Sequence, residues 1–410
     1  MLRPILSTLL ASSLLCSVRA DDPTCEVWSY TGTDIYPSAI IATATVDWHA
    51  GEEEEGGEPS EENDVGAGGN VLGDPNGWVG ARVLDVPEGA VIKVEVVGEG
   101  WLKPSKVEVT VEEACDEVII LPKGVFDYDA LRMVTQQKPA NLTLKVTVND
   151  EALPEQTETV TLRSINECPF YVIMGEDEPP DDLTWMFAAY VNENHPWIDG
   201  ILKEALEAEL VPAFTGYQDN DPNQVIAQVF AIWNIMQRHG MKYSDVTNTP
   251  KSKFAHAQVV RFLDDSIKGS QANCVDGSVV FASILTKISI KCGLVLVPGH
   301  CFVCFDLDPE GKLDPASGTC IGLETTMMGQ DKLKPLAELK KLPAKVKLKE
   351  QEAEGKASAR TFLNAINQSG EVFSKHAGDF ASETTTDYQI IPIEAAREMG
   401  IMPIGARVKP

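Results

Sequence analysis

One cysteine in the second half of the chain stands at the start of an apolar stretch. From Cys274 to Ile290 the residues are apolar nearly all round, with only a narrow polar strip, a pattern that predicts a helix buried in the centre of a domain. The first N–H groups of a helix have no backbone partner, and together with the helix dipole they stabilise a thiolate. The same groups can stabilise the oxyanion of a tetrahedral intermediate. Cys274 is therefore the candidate nucleophile.

A histidine and a glutamate follow on predicted strands. Residues 294–297 form an apolar strand that turns back into a second strand starting at His300, and the next strand, TCIGLETT, brings Glu324. A hydrogen-bonded histidine near a thiol can take its proton and later protonate the leaving group. A carboxylate beside the histidine orients the imidazole. The sequence thus predicts a catalytic triad of Cys274, His300 and Glu324.

The pairing of the two later strands decides which carboxylate reaches the histidine. If Asp308 pairs with Ala316 across the hairpin loop, Glu324 lies directly opposite His300, where Cβ atoms are about 4.5–5.5 Å apart. Asp306 lies on the same strand face, but it is six residues from His300, or about 20 Å at roughly 3.3 Å per residue. Glu324 is therefore the predicted orienting acid.

The same register makes a prediction about cysteines. It places Cys304 opposite Cys320, close enough for a disulfide that would fix the strand pairing. Two unpaired, packed thiols are the alternative.

A zinc site is a second possible role for the cysteines near His300, since Cys301 and Cys304 form a C-x-x-C directly after it. Alternation sends Cys301 to the face opposite His300, and the sequence has no second pair at zinc spacing. We therefore predict neither a metal nor a cofactor.

The order of these features resembles the transglutaminase-like superfamily. A cysteine at the start of a buried helix, a Gly-His on a strand and an acidic residue followed by threonine on the next strand are similar to its core, as is the upstream DPNQVIAQVFAIWNIMQRHGMKY. The similarity covers about Gln224 to Met328. It implies a papain-like α+β domain in which Cys274, His300 and Glu324 are nucleophile, base and acid. The sequence differs from the family pattern in having Glu before Thr-Thr, where Asp before Pro is common.

The first half of the chain has a different pattern. Over residues 21–168, apolar and polar residues alternate, as in NLTLKVTV, and turn clusters separate the runs, which predicts an all-β, antiparallel sandwich. We interpret this domain as a binding or spacer module, because it has no cluster of His, Cys and carboxylates. The acidic run 51–64 is predicted to be a solvated loop, since it lacks the alternating Asp/Asn pattern and turn glycine of a calcium loop.

Charge and paired prolines in GEDEPPDDLT mark the boundary between the halves. Residues 169–330 are the predicted transglutaminase-like domain, in which helices begin at Pro196 and at Pro222. Residues 331–410 are predicted to be a C-terminal extension that contains a helix and packs on the core.

The N-terminus and the charge predict where the protein acts. Residues 1–20 have Arg3, an apolar run too short to span a bilayer and small residues before Asp21, which is typical of a cleaved signal peptide; an uncleaved anchor is the alternative. We expect a secreted or extracytoplasmic protein. The chain has 34 basic and 62 acidic side chains, a net charge of −28, which disfavours binding to nucleic acids and to anionic membranes.

Together these features predict an exported cysteine enzyme that acts through an acyl-thioester on an amide or peptide bond, by hydrolysis or acyl transfer. A peptide or protein is the expected substrate, and water is the default acceptor. The alternative is a non-catalytic, extracytoplasmic binding or structural protein that keeps a degenerate transglutaminase-like core. A single fast-alkylating thiol near neutral pH would distinguish the enzyme from this alternative.

Overall fold

The computed structural model of the chain describes residues 22–46, 71–173, 175, 178–244, 249–335, 338, 353–382 and 386–405. The signal peptide predicted over 1–20 and the acidic run 51–64 lie outside these residues. Helices and strands occur in similar amounts and the strands form several sheets, so the chain is of the mixed α and β class. Its contacts divide it into two compact units.

Twenty strands and nine α-helices are present in the described residues. The elements before Thr184 are β1 (Thr24–Ser29), β2 (Asp34–Ile35), α1 (Pro37–Ala42), β3 (Val71–Gly73), β4 (Val79–Val86), β5 (Val91–Gly98), β6 (Leu102–Thr110), β7 (Cys115–Leu121), β8 (Val125–Phe126), α2 (Tyr128–Arg132), β9 (Lys138–Val148), β10 (Glu151–Ala152), β11 (Gln156–Leu162), β12 (Glu167–Val172) and β13 (Asp181–Asp182). The later elements are α3 (Pro196–Glu207), α4 (Pro222–Arg238), β14 (Lys242–Tyr243), β15 (Ala255–Val259), α5 (Leu263–Gly269), β16 (Gln271–Ala272), α6 (Cys274–Lys287), β17 (Cys292–Val297), β18 (His300–Asp306), β19 (Cys320–Leu323), α7 (Ala353–Lys375), α8 (Ala377–Phe380), β20 (Gln389–Pro392) and α9 (Ile393–Glu398), with 3-10 helices at Thr184–Tyr190 and Thr325–Met327.

The first unit holds the described residues up to Leu183 together with Pro250–Gln258. Its strands form three sheets, in the orders β1-β4-β7-β3, β2-β11-β9-β5-β6-β8 with β10 beside β9, and β13-β12-β15. Alternation decides which side chains enter the core: along β9, Leu142, Leu144 and Val146 are buried while Lys145 is exposed. The alternating pattern read from the sequence is confirmed for this strand.

The first unit extends past the boundary predicted at residue 168. Strand β12 pairs with β13 on one side and with β15 on the other, so these elements belong with the β-rich unit rather than with the second one. Strand β15 returns to this unit after Thr184–Thr249, which belong to the second unit. Pairing between segments so distant in sequence leaves no local pattern from which it could be predicted.

The second unit is built around one antiparallel sheet, in the order β19-β18-β17-β20. Helix α6 packs against β17 and β18, and α7 packs against β19 and α4. One buried cluster, which lies between the sheet and the end of α7, consists of Val295, Phe302, Cys304, Leu313, Cys320 and Phe373. The C-terminal segment predicted as an extension over 331–410 is thus an integral part of this unit in its described portion, since it supplies both α7 and an edge strand.

The predicted start of helix α4 at Pro222 is confirmed. Asp221 caps the helix by accepting a hydrogen bond from Asn223 N at 2.9 Å, and Pro222 is its first residue. Its buried stripe includes Trp233, whose ring contacts Phe281 of α6 at a centroid distance of 5.6 Å. This contact joins α4 to the helix that begins at Cys274.

Across the residues that the structure describes, no helix is both long enough and apolar enough to cross a membrane.

Candidate active site

Cys274 is the first residue of α6. Asn273 caps this helix, because its Oδ1 accepts a hydrogen bond from Asp276 N at 2.8 Å while Asp276 Oδ2 accepts one from Asn273 N at 3.1 Å. This capping box satisfies the N–H of the third helical residue and leaves those of Cys274 and Val275 directed out of the helix end. The half-buried thiol therefore lies beside two backbone donors.

The buried carboxylate of Asp276 fixes the segment that leads into α6. Its Oδ1 accepts a hydrogen bond from Arg261 N at 2.8 Å. The Arg261 side chain lies 3.5 Å from Asp276 Oδ2 and donates to Gln271 O at 3.3 Å. Burial raises the pKa of Asp276, although the hydrogen bonds from Arg261 and Asn273 and the charge of Arg261 act to lower it. These contacts fix β16, the capping residue Asn273 and the first turn of α6 relative to one another.

His300 joins the thiol to a carboxylate. It begins β18 directly after Gly299, which has a φ of 71° in the left-handed region that favours glycine. Its Nε2 lies 2.6 Å from Glu324 Oε2, and the Cys274 side chain is near enough to the ring to raise the pKa of His300. The structure therefore brings together the three residues that the sequence singled out.

The pKa of His300 is raised to about 10. Burial lowers the pKa, but hydrogen bonds to Cys274 and Glu324 and the charges of both residues outweigh the burial. Because an unperturbed histidine has a pKa of about 6.5, this ring is protonated at neutral pH when it faces the thiolate. A protonated ring stabilises a neighbouring thiolate, which is the nucleophilic form of cysteine.

The paired His300 should make stability depend on pH. The folded ring, with a pKa of about 10, holds its proton more tightly than the unfolded one, with a pKa of about 6.5. Its stabilisation is therefore complete below about pH 6.5 and is lost as the pH rises to about 10. Denaturant unfolding across this window should show a smaller fall in unfolding free energy for His300→Gln than for the unchanged protein. Equal falls would contradict the pairing.

Glu324 is held in place by the turn that follows it. The residue is 1% exposed and comes directly after β19. Its Oε1 accepts hydrogen bonds from Thr326 N at 3.1 Å and from Thr326 Oγ1 at 2.6 Å, while Oε2 faces His300. The Glu-Thr-Thr sequence thus forms a turn that orients the carboxylate.

Sequence reasoning did not single out Thr326. The signal was present, because a threonine two residues after an acidic side chain can return both its N–H and its hydroxyl to that carboxylate.

We expect Thr326→Val to slow acylation of Cys274 by about tenfold, because Glu324 loses a hydrogen bond to a charged group. The same variant should lower the pKa of His300 in an NMR titration, since a less well oriented carboxylate stabilises the protonated ring less. Thr326→Ser keeps the hydroxyl and is the matched control. A Val variant that matches the Ser variant in both measurements would rule out this positioning role.

The strand register differs from the expected one by two residues. The observed pairs are Val303 with Leu323, Cys304 with Gly322 and Asp306 with Cys320, so Glu324 lies just past the paired segment and not directly opposite His300. The prediction of direct opposition is wrong. The shift is even, however, so each side chain keeps its face, and the length of the glutamate side chain closes the remaining gap.

Asp306 explains the shift. Its carboxylate accepts hydrogen bonds from Asp308 N at 3.0 Å and from Leu313 N at 3.1 Å, so the loop curls around this side chain. The ladder consequently ends at Asp306 and Cys320 rather than continuing to Asp308. Asp306 is buried and binds the loop backbone instead of His300. This agrees with the sequence analysis, which excluded Asp306 as the orienting acid because it lies too far along the strand.

The disulfide predicted between Cys304 and Cys320 is not formed. Both thiols are free and buried, and Cys304 lies opposite Gly322 instead of Cys320. The two residues are still diagonal neighbours on the paired strands, and burial, followed by the nearby Cys320 thiol, raises the pKa of Cys304. The alternative of two packed, unpaired thiols therefore describes this pair.

No group of three or more His, Cys, Asp and Glu side chains among the described residues could hold a metal ion. Cys301 is buried, and burial, followed by the charge of Cys274, raises the pKa of its thiol. It is therefore a protonated core thiol that lies near the candidate nucleophile.

The arrangement as a whole can form and break an acyl bond. The imidazole of His300 is hydrogen-bonded to the Glu324 carboxylate and lies near the Cys274 thiol, and this thiol begins a helix whose first N–H groups are free to bind an oxyanion. No protein-family model matches the chain, and no curated protein matches it significantly. The case for a function consequently depends on the geometry of this site.

Proposed function

We propose that the protein is a cysteine enzyme that forms an acyl-thioester at Cys274 and acts on an amide or peptide bond. The observation that carries this proposal is the hydrogen bond between His300 and Glu324 beside Cys274, which lies at the N-terminus of a buried helix. Three residue types that separately have ordinary structural uses rarely lie in this order by chance, and together they match the roles of nucleophile, base and orienting acid.

Acylation begins with attack of the Cys274 thiolate on the substrate carbonyl carbon, which forms a C–S bond and moves an electron pair onto the carbonyl oxygen. The N–H groups of Cys274 and Val275 are placed to stabilise this oxyanion. When the oxyanion collapses, the C–N bond breaks and the protonated His300 gives its proton to the departing amine. Glu324 keeps the ring oriented throughout, because it accepts the Nε2 hydrogen bond.

Deacylation reverses these roles. Neutral His300 takes a proton from water or from an acceptor amine as its oxygen or nitrogen attacks the thioester carbon, and the thiolate leaves. Water gives hydrolysis and an amine gives acyl transfer. Hydrolysis is the default outcome because water is always present.

The wider setting is part of the same proposal. We assign the second unit to a transglutaminase-like, papain-like α+β fold, because α6 packs on an antiparallel sheet that carries both His300 and the approach to Glu324. The sheets of the first unit are antiparallel except for the parallel pairs β2–β11 and β3–β7, which differ from the all-antiparallel prediction. They support a β-sandwich that acts as a spacer or binding module. Export through the N-terminal segment and a peptide or protein substrate complete the assignment.

An activated ester tests the function without knowledge of the substrate. Incubation with p-nitrophenyl acetate should release p-nitrophenol in a burst of about one equivalent per protein, as acyl-enzymes do. Peptide mapping should then locate the acetyl group on Cys274. Added methylamine would accelerate turnover in a transferase and leave it unchanged in a strict hydrolase. Acetylation spread over several thiols, without a burst, would overturn the proposal.

A further inference from the structure

An ion pair lies at the start of α6, next to the three residues of the candidate site. The Asp276 side chain is 0% exposed, and its Oδ2 lies 3.5 Å from Nη1 of Arg261, whose side chain is 21% exposed. The same Nη1 donates a hydrogen bond to Gln271 O at 3.3 Å, in the short strand that precedes Cys274. The guanidinium of Arg261 is therefore fixed against the residues that lead into the candidate nucleophile.

The carboxylate of Asp276, if unpaired, would oppose the chemistry expected of the thiol. Asp276 lies in the first turn of α6, two residues after Cys274, where the positive end of the helix dipole attracts negative charge. A thiolate at Cys274 and an oxyanion beside it depend on the same positive end. A second negative charge nearby disfavours the ionised form of a thiol.

The charges of Asp276 and Cys274 act on a common neighbour. Burial raises the pKa of the Cys301 thiol on β18, the charge of Cys274 raises it further, and the charge of Asp276 makes a smaller contribution in the same direction. One buried position is thus within electrostatic range of both groups. Charges interact more strongly in such a region than they do in water.

Arg261 supplies the compensating charge. Burial raises the pKa of Asp276, whereas the backbone N–H and the charge of Arg261 act to lower it. The guanidinium thus favours the ionised carboxylate and neutralises it. The pair has no net charge, so the N–H groups at the start of α6 face the thiol without an opposing charge.

We propose that Arg261 is a positioning residue of the site, which pairs with Asp276 and so leaves the positive end of α6 available to the Cys274 thiolate and to the oxyanion. Arg261 acts through Asp276, whose carboxylate it contacts. The inference rests on the proposed function, because it assigns an electrostatic role within the same site.

The pH profile of Cys274 alkylation by iodoacetamide tests this role, because the thiolate is the form that reacts. Arg261→Met keeps an apolar stem, removes the positive charge and should move the midpoint of the profile to higher pH. Asp276→Asn removes the opposing charge and should move the midpoint to lower pH. We expect shifts of about 0.5 pH unit, smaller than the 1–3 units that a charge in close contact produces, because Arg261 acts across Asp276.

The double variant, Arg261→Met with Asp276→Asn, distinguishes charge from structure. It has no charge at either position, so its midpoint should return to that of the unchanged protein. A purely structural role predicts that the second substitution leaves the effect of the first or adds to it. Every variant keeps the other titratable groups that act on this turn, which are Asp265 on α5, His300 and Cys301 on β18, and Glu324 after β19.

Arg82→Met is the matched control. Arg82 also pairs with a carboxylate, with its Nη1 3.0 Å from Glu26 Oε1, but it lies in the first unit. Its replacement should leave the profile of Cys274 unchanged. Thermal melting checks that each variant folds, since removing one partner destabilises a buried pair. Should Arg261→Met fail to fold, Arg261→Gln takes its place, because glutamine is also neutral and keeps a donor for Gln271 O.

The outcomes separate the role of Arg261 from the function. Coincident profiles for the unchanged protein and the neutral Arg261 variant, with the acyl-enzyme burst retained at Cys274, would overturn the positioning role and leave the proposed function standing. Single variants that shift in the same direction, or a double variant that departs further than either, would also overturn it. An unchanged protein with neither a burst nor preferred alkylation at Cys274 would overturn the proposed function, and the inference with it.

Discussion

Replacing Cys274 by alanine should abolish the acyl-enzyme burst completely while leaving the fold intact. Of the three site residues, Cys274 is the one placed to form the covalent intermediate, because His300 and Glu324 serve to move and hold its proton. Because the thiol is half-buried at the first turn of α6, the loss of its sulfur atom should remove few packing contacts and lower the stability of the fold little. Burst amplitude and thermal melting measure the two effects separately.

Cys25→Ala is the control for this experiment. Cys25 is also a free, half-buried thiol, but it lies on β1 in the other unit, and burial raises its pKa. The Cys25 variant should keep the full burst. A burst that survives in Cys274→Ala, or vanishes equally in Cys25→Ala, would show that acylation occurs elsewhere.

Replacing His300 by glutamine should slow acylation by about 10²–10⁴-fold, the usual contribution of a positioned acid or base. The protonated ring stabilises the thiolate and supplies the proton for the leaving group, and glutamine can do neither. Below the pKa of about 10, the unchanged protein should keep a protonated ring beside the thiolate. Its acylation rate should consequently fall as the pH rises through about 10 and His300 loses its proton. The glutamine variant should not show this fall.

His239→Gln provides a matched comparison. His239 also has a carboxylate partner, with its Nε2 2.7 Å from Glu204 Oε2, but this pair is exposed on the surface. Its replacement should leave both the rate and its pH dependence unaltered. If the His300 and His239 variants behave alike, the pairing with Cys274 has no catalytic consequence.

Local sequence patterns predicted several elements because their causes are local. The apolar stripe of α4 and the alternation along β9 follow from periods of 3.6 and 2 residues, and both periods are visible in the local sequence. The start of α6 was predictable for the same reason, since Asn273 and Asp276 supply the cap from within the first turn.

Non-local pairing accounts for most of the differences. Strand β15 pairs with β12 after the chain has passed through the other unit. Strand β20 extends the sheet from the C-terminal segment, where a packed extension containing a helix was expected. Strand pairing of this kind depends on which edge is open in the folded molecule.

The candidate site was predictable even though the register was not. Asp306 curls the hairpin loop around its carboxylate, and such a tertiary contact has no signature in strand periodicity. The resulting shift of two residues moved Cys320 away from Cys304 but kept His300 and Glu324 on one face. The disulfide could form only in the expected register. The contact between His300 and Glu324 can form in both the expected and the observed register, because the glutamate side chain is long.

Site-resolved alkylation is the most direct test of the central claim. The native protein is treated with limiting iodoacetamide at pH 7, and the labelled peptides are followed over time. Cys274 should react at least about tenfold faster than Cys25, because burial raises the pKa of Cys25, whereas His300 is placed to take the proton of the Cys274 thiol. Cys274 that reacts no faster than Cys25 would contradict the account and favour a non-catalytic protein.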